Sequence, residues 1–91
     1  MRGERAWDLI FAELKKAEDK FPGWPDDPVH GAAILAEEAG ELVKASLDFY
    51  YGRHDGTDQM EKEAAQTGAM AIRFLVGLYV RTAQEKKEAK P

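Results

Sequence analysis

Glu38 and Glu41 stand three residues apart in HGAAILAEEAGELVKAS, residues 30–46, and Glu63 and Gln66 stand three apart in EKEAAQ, residues 61–66. Residues three or four apart are neighbours on one face of a helix. Ile34, Leu35, Leu42 and Ala45 lie at offsets of four, three, four and seven from Glu38. That places Glu38 near the middle of an apolar stripe, not at its edge. Glu37 is one step round the helix, and Glu41 is four residues beyond it. Carboxylates held close on a sheltered face repel each other and lose hydration. One of them must take up a proton, or a cation must neutralise them. Mg²⁺ suits the task, because it is a hard ion that takes carboxylate oxygens while keeping waters. All-oxygen ligation favours Mg²⁺, or Mn²⁺ as the alternative, over iron or zinc. Lys44, three residues past Glu41, is the internal competitor for the same charge.

The elements that must hold these groups can be read from punctuation and period. Trp7, Ile10, Phe11, Leu14, Ala17 and Phe21 recur at helical spacing and predict a first helix over 4–20, with Trp7 and Phe11 in its core stripe. Glu13, Lys15, Lys16, Glu18 and Asp19 fall to its solvated face. FPGWPDDP, residues 21–28, has three prolines and a glycine and breaks the helix. Asp27 before Pro28 reads as an N-cap with proline at the first helical position. A second helix over 28–51 follows, with Gly52 as its stop. GRHDGTD is the second loop. Asp58 with Glu61 fits a capping box that opens a third helix over 59–87. No stretch alternates with a period of two for long enough to make a strand. The expected fold is all-α, one domain spanning 1–91.

Small and apolar residues cover more than one side of the third helix. Ala64, Gly68, Ala71, Leu75 and Leu78 form one stripe, and Ala65, Ala69, Ile72, Val76 and Val80 form another. A helix apolar on two sides is buried on two sides. Three short helices cannot enclose it, so the three-helix subunit is expected to complete a helical bundle by oligomerisation. Two antiparallel helices, each turning an i,i+3 polar pair inward, would build a polar cage in such a bundle.

Composition narrows the classes. The chain has 91 residues, 44% of them hydrophobic and 33% charged, with net charge −4 and no cysteine. The acidic balance argues against binding a nucleic-acid polymer, which needs clustered Lys and Arg. The lack of cysteine excludes disulfides, thiolate metal sites and a Cys nucleophile. The most apolar stretch, residues 64–80, carries Gln66, Thr67 and Arg73 and makes a poor membrane span. MRGERAWDLI has no long apolar core and no cleavage signature, so a cytoplasmic location is the expectation.

EEAGE followed by EAAQ resembles the motif of MazG-like nucleotide pyrophosphohydrolases, in the all-α NTP pyrophosphatase superfamily. That motif is Glu-Glu-x-x-Glu on one helix and Glu-x-x-Asp on the next. The resemblance covers about residues 29–75. It is nearest to short phage-type members, in which a Trp-Pro segment leads into a similar helix. It implies a homodimer or homotetramer that cleaves a nucleoside triphosphate to the monophosphate and pyrophosphate with magnesium. By position, Glu38, Glu41 and Glu63 would ligate metal, and Glu37 would support the site or take the proton of the attacking water. Gln66 stands where the family has an acid. It can ligate through its oxygen but brings no charge. Lys44 and Arg73 are candidates for the outer phosphate oxygens, and Trp24, between two prolines, for stacking on the base or folding the loop over the core. Two other readings compete: a module that binds nucleotide or metal without hydrolysis, and a structural helical oligomer.

Overall fold

Two local signals cut the chain into its helices. The Asp27 carboxylate accepts a hydrogen bond from the Val29 backbone N–H at 2.9 Å, and Pro28 occupies the first turn. At the other break, Gly52 takes φ of 73°, and the N–H groups of Tyr51 and Gly52 donate to Leu47 and Phe49 carbonyls. That left-handed turn satisfies the last carbonyls of the helix, and glycine adopts it without a Cβ penalty. A computed structural model describes residues 2–89 as α1 (Arg2–Lys20), α2 (Pro28–Tyr50) and α3 (Asp58–Ala89). The described residues contain no strand. None of their helices is long and apolar enough to cross a membrane.

The start of α3 differs in detail from the expected capping box. Thr57, not Asp58, precedes the first turn, and its carbonyl accepts from the Glu61 N–H at 2.9 Å. The Asp58 carboxylate turns back to His54 Nε2 at 2.8 Å. That hydrogen bond holds the Asp58 carboxyl below its ordinary value. Asp48 is likewise occupied, accepting from Arg53 Nε at 2.8 Å and closing the α2–α3 loop.

α3 is the central element. It packs against both α1 and α2, which do not pack against each other. The α1 crossing is close because α3 has Gly68 there. A Cβ on Gly68 would lie 3.1 Å from the Ile10 side chain. The buried residues are few and mostly small: Gly31, Ala45, Ala65, Ala69, Met70 and Arg73. No residue of α1 is buried. Trp7 and Phe11 do not enter a core; they are 56% and 53% exposed and stack on one another with centroids 5.6 Å apart. The middle of α3, residues 65–74, is buried or half-buried, whereas Leu75, Val76, Tyr79 and Val80 further along are exposed. The Cα radius of gyration is 16.0 Å, against about 12 Å for a compact domain of this length.

Candidate functional site

Three polar groups converge where α2 faces α3. The terminal atoms of the Gln66 carboxamide lie 3.0 Å from Glu63 Oε2 and 3.3 Å from Glu38 Oε2 on one side, and 3.4 Å from Glu13 Oε2 on the other. The helical offset of three explains the Glu63–Gln66 neighbourhood. The α2–α3 packing brings in Glu38. Glu13 comes from α1.

The carboxamide has two orientations with opposite meaning. With its nitrogen towards Glu38 and Glu63, it donates to both and holds two acids in a protein-only network. With its oxygen towards them, it leaves three oxygens facing one another, and its nitrogen donates to Glu13 at 3.4 Å. Three converging oxygens are favourable only around a cation. The 3.0 and 3.3 Å separations are hydrogen-bond lengths in the first orientation; they come near the roughly 3 Å oxygen spacing along the octahedral edge of a bound Mg²⁺ only when the carboxamide turns over. Glu38, Glu63 and the Gln66 oxygen are the groups that could hold a hard divalent ion in that second orientation. Carboxyl and imidazole groups alone make no such set: among the described residues no cluster of three or more Asp, Glu or His is arranged to hold a metal.

The surplus of negative charge bears on Glu38. Glu38 is half-buried, and its carboxyl is held above the ordinary 4.5 first by burial and then by Glu63, Glu41, Glu37 and Glu13. Both of the charge-disfavouring effects, desolvation and like charge, act in one direction.

A cleft of about 830 Å³ opens beside this cluster, within the range of roughly 300–1,000 Å³ common for small-molecule sites. Glu38, Glu13 and Gln66 line one end, Arg73 and Trp24 the other, and Lys16 and Lys20 belong to its α1 wall. Glu63, within 3.0 Å of the Gln66 carboxamide, does not line it.

The far end is built differently. Arg73 is 8% exposed, and its Nη2 donates to the carbonyls of Phe21 and Gly23. Its guanidinium lies over the Trp24 ring, 5.1 Å from the centroid. Arg81 adds a bond from Nη1 to the Asp26 carbonyl at 2.9 Å. The Trp24 indole is wedged between α2 and α3 where both have glycine. A Cβ on Gly31 would lie 3.2 Å from Trp24 Nε1, and one on Gly77 would lie 2.6 Å from Trp24 Cδ1. The loop 21–27 is thus strapped to α3, and Trp24 is a fixed wall of the cleft.

Of the residues singled out by sequence, Glu38, Glu63 and Gln66 are brought together. Glu37 and Glu41 are on the exposed side of α2, near enough to raise the Glu38 carboxyl. Lys44 is exposed and lines no part of the cleft. Arg73 lines it with a guanidinium engaged by loop carbonyls. The chain matches no protein-family model, no curated protein and no solved structure.

Glu13 is the residue that sequence reasoning assigned to the solvated face of α1. Its side chain is only 15% exposed. A signal was present: Glu13 lies three residues past Ile10 and four before Ala17, the same offsets that drew attention to Glu38.

Proposed function

We propose that this chain is a magnesium-dependent nucleoside triphosphate pyrophosphohydrolase that works as a homodimer or homotetramer. The observation that carries the reading is the convergence of Glu38 and Glu63 on the Gln66 carboxamide, at 3.3 and 3.0 Å, beside a cleft of nucleotide size. The resemblance of EEAGE and EAAQ to the MazG-like motif points the same way. Glu38, Glu63 and Gln66 would hold the ion, with Glu41 as a further ligand from the exposed side. The bound ion supplies charge neutralisation for the phosphates and lowers the pKa of a bound water. Glu37, exposed beside the cluster, orients a water and takes its proton. The water oxygen bonds to the phosphorus on one side of the α,β-bridging oxygen. That phosphorus–oxygen bond breaks, and the monophosphate and pyrophosphate leave.

Self-association has its own support. The chain exposes 6998 Å², against about 5,300 Å² for a compact monomer of this mass. Two copies each hiding that excess would bury about 3,400 Å², within the span of obligate homodimers. The apolar side chains left open on α1 and on the second half of α3 are the surface to be covered.

The test is pyrophosphate release from a panel of canonical and modified NTPs and dNTPs with Mg²⁺. Glu38→Gln and Glu63→Gln are each expected to lower turnover by at least about 100-fold, since even removing a residue that only supports a metal ligand costs 10–100-fold. A protein that is stabilised by nucleotide with Mg²⁺, yet makes no product, would be a binding module. One that binds neither would be a structural helical oligomer.

A further inference from the structure

We propose that Lys16 and Lys20, on the cleft wall formed by α1, receive the outer phosphates of the substrate and make the site selective for nucleotides carrying a chain of phosphates over monophosphates. The assignment rests on the function proposed above and deepens it.

A triphosphate carries more negative charge than one divalent ion offsets, and the acidic end of the cleft adds repulsion of its own. Further cations are required close by. The two suggested by sequence do not meet the need. Lys44 lies outside the cleft, and the Arg73 guanidinium is engaged by the carbonyls of Phe21 and Gly23. Arg81 is similarly tied to Asp26 and Glu85. The two lysines that line the cleft are Lys16 and Lys20.

Their placement follows from α1. Glu13, Lys16 and Lys20 are spaced by three and four residues, so they share one face of the helix. The face runs from the acid cluster outward. At about 1.5 Å per residue, Lys20 stands roughly 10 Å along the helix from Glu13. A single phosphate held at the acidic end is out of reach of the far lysine, whereas a chain of phosphates passes both. Lys16 already leans towards the cluster, with Nζ 3.4 Å from Glu13 Oε1. Its side chain is 74% exposed, so the ammonium is free to turn to an incoming anion. Lysine forms suitable point contacts to phosphate oxygens. An incoming phosphate competes with Glu13 for the Lys16 ammonium.

The experiment measures KM and kcat with Mg²⁺ and the best triphosphate of the panel, and in parallel the affinity for Mn²⁺ alone. Lys16→Ala with Lys20→Ala should raise KM at least about tenfold, the scale of losing a charge-assisted hydrogen bond, with kcat little changed. Inhibition by the monophosphate should be unaltered. Mn²⁺ should bind about as well, because neither lysine is among the groups that would hold the ion. Lys16→Arg with Lys20→Arg should restore most of the triphosphate affinity, and Lys15→Ala should change nothing. If the double alanine variant handles triphosphate like the wild type, the lysine assignment is overturned while the hydrolase reading stands. If wild type neither hydrolyses nor binds any nucleotide, both fall together.

Discussion

α3 carries two polar clusters, one at each end of the cleft, and they are settled in opposite ways. Around Arg73 every strong demand is met from within. The guanidinium has two carbonyl acceptors and an aromatic face, and the loop it holds gains fixed backbone partners. Around Gln66 three acids gather, Glu13, Glu38 and Glu63; Glu13 has the exposed Lys16 beside it at 3.4 Å, and Glu38 and Glu63 share the neutral carboxamide. A buried polar group with complete internal partners holds a structure together. A sheltered group of like charges is a cost to the fold that something from outside can relieve. The difference separates the clamp from the candidate site more surely than depth does, since Arg73 is the more deeply buried of the two.

The largest loss is expected at the clamp. Arg73→Ala removes two charged hydrogen bonds, leaves the loop carbonyls without them and frees the Trp24 face. A loss of about 3 kcal/mol is expected, and thermal unfolding should drop by about 4–8 °C per kcal/mol for a domain of this size. Metal binding at the other end should survive in the molecules that remain folded. If Arg73→Ala kept its stability but lost nucleotide affinity, the arginine would belong to the site after all.

A smaller loss is expected at the glycine beside Trp24. Gly77→Ala places a methyl 2.6 Å from Trp24 Cδ1, and the indole must shift. Overpacking of this kind costs about 1–3 kcal/mol, part of which the better helix propensity of alanine returns. Intrinsic tryptophan fluorescence and a denaturant melt report both effects. An unchanged melt would mean that the loop is not held by the wedge.

The smallest effect has the opposite sign and belongs to the acids. Because the Glu38 carboxyl is raised, the native state holds its proton more tightly than the unfolded chain does. Metal-free stability therefore falls as pH rises from the usual glutamate range through the raised value. Glu38→Gln removes that slope. At neutral pH, in the presence of a chelator, it should stabilise by about 0.5 kcal/mol, the scale of a relieved like-charge pair. Added Mg²⁺ should stabilise wild type and not the variant. Melts across pH with and without the ion test this; a Glu38→Gln variant that is less stable in chelator at neutral pH would contradict the picture of unrelieved charge.

Much of the fold was legible because its signals are local. The Asp27–Pro28 cap, the proline-rich break and Gly52 act within a turn of themselves, so α2 has the expected start and ends within one residue of the expected stop. The Asp58 capping box failed for a reason equally local but not visible in a pattern. His54, four residues upstream, competes for the same carboxylate. Trp7 and Phe11 show the limit of periodicity. Their spacing marks an apolar face but not whether this chain covers it.

By itself the amino-acid order determined that there are three helices, where they break, and that Glu38 would sit in apolar company, because capping, chain stiffness and helical period are properties of neighbours in sequence. Only tertiary packing decided that α3 lies between α1 and α2, that Glu13 joins Glu38 and Glu63 across Gln66, and that Arg73 spends its donors on the 21–27 loop. Those are meetings of residues some 25 to 50 positions apart. They depend on which helix crosses which, and at Gly68, Gly31 and Gly77 the absence of a single Cβ is what lets the elements come that close.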